Sequence, residues 1–191
     1  MNTGSPRPTA DTIVPSLLDA VERLCSHEFP ERVGMREIAS DAGVSLGAAY
    51  RYFDSKEALL GAALDRMAER IASAFTATDE SAEAIKAVWA ALEANPAFPR
   101  LVTWAITNDQ NVSEIMSKHP LVRDVAMSAA ARGVEDPQTV AGITALIGIA
   151  GAVYGPTINR TMQRDLDDSR LYDTAASMLS DWIELQDGRT R

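Results

Sequence analysis

One cysteine, Cys25, is all that the 191-residue chain contains. This excludes an internal disulfide framework and a cysteine-rich zinc site, and it suits a reducing, cytoplasmic compartment. With only two histidines, a His-rich metal centre is excluded as well. Cys25 and His27 stand two apart, a spacing that turns them to different faces of a helix, and Cys25 falls on an apolar stripe, so the pair does not read as nucleophile and base. No glycine-rich phosphate loop and no H-E-x-x-H occurs; an enzyme would have no catalytic set to use, and no cofactor is expected. The first fifteen residues hold Pro6, Pro8 and Pro15 but no basic start followed by an apolar core, so no secretory signal is read there. The apolar run Val140 to Gly155 is too short for a bilayer, and no membrane partner is expected. Alternating β-branched runs bounded by turns are missing too, which argues against sheet.

What is present is an ordinary globular composition. Hydrophobic residues make up 46% and charged residues 24%, enough to build the core of one large domain or two small ones. Net charge is −9, which opposes broad adhesion to nucleic acid or anionic lipid but leaves room for a site-specific nucleic-acid surface. Residues 1–70 carry 8 basic and 11 acidic side chains, so the N-terminal part is not basic either.

Apolar residues recur at three and four throughout, and the chain reads as all-α. A first helix is expected from Thr12 to Glu28, a short second one from Met35 to Ala42, a third from Ser45 to Tyr52, and a fourth over 54–76. Gly43 suits the left-handed residue ending the second helix, Ser45 the N-cap of the third, and Asp54 with Glu57 the start of the fourth. Further helices are expected at Ser81–Ala94, Pro99–Asn108, Val112–Lys118, Leu121–Ala131, Pro137–Tyr154 and Ser169–Gln186. A compact head, residues 1–53 with a disordered tail at 1–11, is expected to join a six-helix body, 54–191, through the fourth helix, and the polar stretch 77–80 past the end of that helix reads as a hinge between the N-terminal module and the rest.

Met35 to Tyr52, MREIASDAGVSLGAAYRY, is where the pattern becomes specific. Two short helices around a glycine turn form a helix-turn-helix, whose second helix can enter the major groove. The residues Ile38-Ala39, Ala42-Gly43-Val44-Ser45, Gly47, Tyr50, Tyr52-Phe53 and Ser55-Lys56-Glu57 resemble the DNA-binding signature of the tetracycline-repressor (TetR) family of transcriptional regulators. Leu17 to Leu24 resembles the first helix of that family, and the likeness extends from about Leu17 to Leu64. The resemblance implies a homodimer that binds a palindromic double-stranded DNA operator and is released when a small molecule enters the body. It also marks departures: the basic cluster before the first helix is reduced to Arg7, and Val33 or Gly34 stands where that family has a capping Thr, so the second helix lacks a side-chain cap. The alternative class is a helical partner-binding scaffold that no longer reads DNA.

Elementary chemistry assigns roles at this motif. Helix starts at Ser45, Ser55 and Lys56 favour phosphate, and the phenols of Tyr50 and Tyr52 can donate to phosphate or pack in the core. Arg36 and Arg51 are the guanidinium groups suited to guanine O6 and N7; Leu46 and Ala48 can touch thymine methyls, and Gly47 allows close approach. In the body, Met67, Ile71, Phe75, Trp89, Phe98, Trp104, Met116 and Met127, with Asn108, Arg123 and Tyr154 as polar groups, are candidates to line a cavity for a mainly hydrophobic effector. The small-residue row Gly148, Gly151 and Ala152, with Leu171, Ala175, Met178, Leu179 and Trp182, offers the apolar faces for a dimer interface.

Overall fold

Ile13, Leu17, Leu18, Ala20, Val21 and Cys25 recur at three- and four-residue intervals and are all buried, so the first helix, α1 (Ala10–Cys25), turns one continuous apolar stripe inward. Because α1 begins at Ala10 and not at Thr12, Pro15 is its sixth residue and lies inside the helix, where its missing N–H leaves out one backbone bond. The computed structural model describes residues 10–74, 87, 89–108, 110, 121–131, 133–161, 174–175, 177–179 and 181–182. Among the described residues the secondary structure is helical, with no strand. After α1 come α2 (Met35–Asp41), α3 (Leu46–Tyr52), α4 (Lys56–Ala74), α5 (Ala97–Thr107), α6 (Leu121–Ala131) and α7 (Pro137–Thr161). Residues 89–93, 174–175, 177–179 and 181–182 are helical as well. The helix expected at Val112–Lys118 and the tail 1–9 lie outside the described residues, whereas Ala10 and Asp11, assigned to the tail, already belong to α1.

The fourth helix repeats the logic of the first. Leu59, Leu60, Ala63, Leu64, Met67, Ala68 and Ile71 are buried in pairs one turn apart, and this face packs against α1 and α5. Its N-cap is Ser55, whose Oγ accepts from the N–H of Ala58 at 3.1 Å, one residue later than the Asp54 cap expected. On α5 nearly every residue from Ala97 to Ala105 is buried, because α1, α4 and α7 all pack against it.

An antiparallel pair, α6 and α7, completes the described body. Gly133, with φ +80, ends α6: its N–H reaches Ala130 O at 3.0 Å and Val134 N–H reaches Ala129 O at 3.2 Å, a Schellman turn that only a residue free to adopt positive φ makes without strain. Asp136 caps α7, accepting from the backbone N–H of Thr139 at 3.1 Å and from its hydroxyl at 2.6 Å. These bonds hold the exposed Asp136 carboxyl below its ordinary pKa. The seventh helix runs seven residues past the expected Tyr154. Its segment Pro137–Gly155 is, by length and composition, long and apolar enough to cross a membrane, correcting the judgement made on the shorter run. In the folded chain one row of that helix, Val140, Ala141, Thr144 and Gly148, is buried.

At the contact between α7 and residues 89–93, the indole N–H of Trp89 donates to Thr144 O at 3.0 Å. Thr144 is itself buried and its hydroxyl returns to Val140 O at 2.8 Å. Among the described residues the main core cluster runs from Ile13 in α1 through α4, Trp89 and α5 to Val125, Ala141 and Leu179, and a small second one joins Ala129, Val134 and Val140. Cys25 belongs to the main cluster; burial pushes its thiol up to about 11, against the opposing pull of Lys56 and Arg100, so it is an inert structural thiol at neutral pH.

Candidate nucleic-acid interface

The turn of the helix-turn-helix is built by backbone bonds that the sequence makes available locally. Gly43 adopts φ +69; its N–H bonds Ser40 O at 3.1 Å and Val44 N–H bonds Ala39 O at 2.9 Å. This Schellman turn closes α2 and lays Val44 against the core. Ser45 then caps α3, its Oγ accepting from the N–H of Ala48 at 3.1 Å. At the other end of α2 the N-cap is Gly34, with no side-chain cap bond, as the missing threonine implied. Gly43-Val44-Ser45-Leu46-Gly47 spells G-x-S-x-G, but the serine here starts a helix that follows a helix, and its Oγ is committed to the cap. A nucleophile elbow requires a strand before the serine.

Helical period divides the third helix into two faces. Ala49 is fully buried, and Leu46, Tyr52 and Phe53 pack partly against the core, which leaves Gly47, Tyr50 and Arg51 together on the outward face. Tyr50 is 49% exposed and free to donate its phenol, while Tyr52 leans on the core. Ala48 lies between the two faces, half-buried, and Leu46 is turned mainly inward. Arg36 is exposed on α2 and borders an open groove with Leu24, Arg32, Gly34, Glu37, Ser40 and Asp41. Arg32, overlooked in the sequence, stands on this rim with only a 3.6 Å contact to Glu28.

Most other cations of the head are committed within the fold. Arg23 pairs with Asp41 at 2.7 Å, tying α1 to α2. Arg66 meets both Asp19 and Glu22, at 2.7 and 2.6 Å, and Arg70 meets Glu22 at 2.8 Å. Lys56, expected as a phosphate clamp, has a partner within the fold: its half-buried ammonium donates to Pro30 O at 3.1 Å, which fastens the start of α4 to the loop between α1 and α2. Ser55, its hydroxyl oxygen accepting at the α4 cap, retains a hydroxyl proton to give. Among the described residues of the head, Arg36 and Arg51 are exposed without an ion pair and Arg32 has only its 3.6 Å contact to Glu28.

The body candidates divide between core and surface. Met67, Ile71, Trp89, Phe98 and Trp104 are buried in the common core, and the surplus of bulky side chains read from the sequence is absorbed by packing among α4, α5, α7 and residues 89–93. Asn108 is exposed and donates to Trp104 O at 2.9 Å, closing the end of α5. Arg123, Met127 and Tyr154 are exposed and do not line an interior. Phe75 and Met116 lie outside the described residues.

For the interface candidates, Gly148 is buried against its own chain: a Cβ there would lie 2.6 Å from Leu92 Cδ1 and 2.8 Å from Trp89 Cδ1. The small residue serves an approach within the protomer, not between protomers. Gly151 and Ala152 are half-buried, as is Ala175; Leu179 is buried; Met178 and Trp182 are exposed. Leu171 is outside the described residues. The exposed apolar row of α7 is instead Leu146, Ala150, Tyr154 and Ile158, four residues apart along one side.

Residues 17–63 match the family model described as bacterial regulatory proteins, tetR family. An uncharacterised HTH-type transcriptional regulator of Mycobacterium tuberculosis is 49% identical over 55 residues, which are 29% of this chain and 27% of that protein. The chain thus spans about a quarter of the length of the curated relatives it matches. A transcriptional regulator of Rhodococcus superposes with a TM-score of 0.68 over 87% of this chain and 95% of its own, at 19% identity. The regulator BioQ, bound to its natural double-stranded DNA operator, superposes at 0.60 over 89% and 96%, with 23% identity. Across the whole chain, likeness at this identity establishes a common fold: a helix-turn-helix head on a helical body.

Proposed function

From a head whose residues 17–63 match the tetR family of bacterial regulatory proteins, we propose that the chain is a transcriptional regulator of that family that binds a palindromic operator as a homodimer. One observation carries this: Gly47, Tyr50 and Arg51 share the outward face of α3, with Arg36 exposed beside it on α2, while the paired and capped cations are turned to structural tasks. Gly47 lets the α3 backbone come close to the groove, Arg51 and Arg36 offer bidentate donors to guanine, and Tyr50 and Arg32 hold phosphate. The thymine-methyl role falls to Ala48, with Leu46 mainly a packing residue. Selection from random double-stranded DNA with the purified chain tests it. A palindromic consensus supports the proposal; no enrichment over unrelated DNA overturns it in favour of a partner-binding scaffold.

Few free cations imply a shallow salt dependence. Counting the described residues, three exposed guanidinium groups per protomer give six per dimer, so the slope of log affinity against log salt is expected to be no steeper than about −5. A titration of affinity from low to high salt checks this, and a much steeper slope would mean that further cations face DNA.

A palindrome calls for a two-fold partner. The exposed row Leu146, Ala150, Tyr154 and Ile158 on α7, with Met178 and Trp182, is the proposed interface, in place of the Gly148 face. Changing Leu146 and Ile158 together to Glu should convert a dimer to a monomer with unchanged helix content, read by light scattering and circular dichroism. A double variant that remains dimeric places the interface elsewhere. Release by a mainly hydrophobic effector completes the proposal: Met67, Ile71, Phe98 and Trp104 lie in the core beside α4, where an apolar ligand admitted among them would displace the helix that carries the head. Repression is the proposed direction: a dimer seated on an operator that overlaps a promoter would exclude polymerase.

A further inference from the structure

The end of α1 is capped by a side chain from far along the chain. The last carbonyls of a helix have no partner within it and carry the negative end of its dipole. Here Arg100, on α5, donates through Nη1 to Cys25 O at 3.1 Å and to Ser26 O. The same nitrogen lies 3.3 Å from Pro96 O at the start of its own helix, and the guanidinium sits 5.8 Å from the centroid of the Phe29 ring, within reach of a cation–π attraction. Midway along the α1–α2 loop, Lys56 Nζ holds Pro30 O at 3.1 Å. The loop that delivers the chain into α2 is therefore fixed at its start from α5 and at its middle from α4. A third tie runs parallel to these: Arg70 joins Glu22 of α1 at 2.8 Å to Asn95, just before α5, at 2.9 Å.

We propose that Arg100 is a positioning residue for DNA recognition, the strut through which α5 sets the angle of the head on the body and hence the distance between the two heads of a dimer. It rests on the operator-binding reading above. The physical chain has three links. Helix α3 packs on α1 and α2, so it follows α1 as one body. The pivot of that body is the α1 terminus, and Arg100 is the α5 group bonded to it. One guanidinium nitrogen, Nη1, faces Cys25 O and Ser26 O at the end of α1 and Pro96 O at the start of α5, with the Phe29 ring beside the guanidinium, so this side chain fixes where the two helix ends meet. A small rotation at the pivot is repeated by symmetry in the second protomer, so its first effect falls on half-site spacing and leaves the bases read within each half-site alone.

The test compares the full-length parent with Arg100→Ala, Arg100→Gln and Arg100→Lys on the selected operator and on versions whose central spacer is longer or shorter by one and two base pairs. The parent should prefer its own spacer by about tenfold or more, since each added pair rotates one half-site about the duplex axis. Arg100→Ala and Arg100→Gln should reduce that preference at least threefold, with the base preferences inside each half-site unchanged, and Arg100→Lys should restore it in part. The Gln variant retains an amide donor and most of the side-chain volume, so it carries the test if the Ala variant fails to fold. A spacer profile in the folded variants identical to that of the parent overturns this proposal alone. Absence of any selected operator for the parent overturns the operator reading, and this proposal with it.

Discussion

Gly43→Val should abolish specific operator binding while leaving the body folded. The residue holds φ +69, a region that costs an L-residue about 1–2 kcal/mol and a β-branched one more. The strain can be relieved only by releasing the bonds from Gly43 N–H to Ser40 O and from Val44 N–H to Ala39 O, which set the angle between α2 and α3. Urea denaturation should show a loss of about 2 kcal/mol, and operator affinity should fall at least tenfold, roughly the effect of 1.4 kcal/mol in recognition. Gly43→Asn is the informative companion, because asparagine tolerates the left-handed region; it should retain most of the binding. A Val variant that binds as the parent does would mean that the turn geometry is not needed for recognition.

Gly148→Val should destabilise the body by about 3 kcal/mol, combining the overpacking of a tight contact with the loss of a buried hydrogen bond. The new Cβ would stand 2.6 Å from Leu92 Cδ1 and 2.8 and 3.0 Å from two atoms of the Trp89 ring. The indole is rigid and cannot withdraw without giving up its bond to Thr144 O. Gly142, on the same helix, has open space where its Cβ would be, so Gly142→Ala should stabilise slightly, by about 0.5–1 kcal/mol from helix propensity. Thermal or urea unfolding of the two variants side by side checks the pair. Equal stability of Gly148→Val and parent would remove α7 from its place against Trp89.

The head was legible because its signals are local. Gly43, Ser45 and the apolar spacing of α1 and α4 each act within a few residues, and the turn, the cap and both inward stripes stand where those signals put them. Tyr50 and Tyr52 show how far such signals reach: counting helical period from Ala49 places Tyr50 outward and Tyr52 inward, a distinction that residue type alone does not make. Lys56 and Arg100 were not legible in their observed roles. Their partners are backbone carbonyls 26 and 74 to 75 residues away, and a carbonyl carries no mark in a sequence. The body was harder for a related reason. Bulky side chains such as Trp89 and Trp104 read alike whether they line a cavity or fill a core, and Gly148 reads alike whether it admits a neighbouring protomer or a tryptophan of its own chain.

The continuity of the core across head and body limits how proteins of this architecture can exchange parts. Leu59, Leu60, Ala63 and Leu64 of α4 are fully buried on the side that faces α1. A crossover placed after residue 53, at the boundary drawn from sequence, would strip α1 of the surface that covers its apolar stripe and hand the new body a helix shaped for another head. A crossover after α4 keeps that surface whole and cuts the contacts that α1 and α4 make with α5 and those that α4 makes with α6. On the operator-binding proposal, the module to transfer is therefore four helices, Ala10 to Ala74, and a graft of it onto another body must carry α4 along and supply a new cation where Arg100 now meets the end of α1.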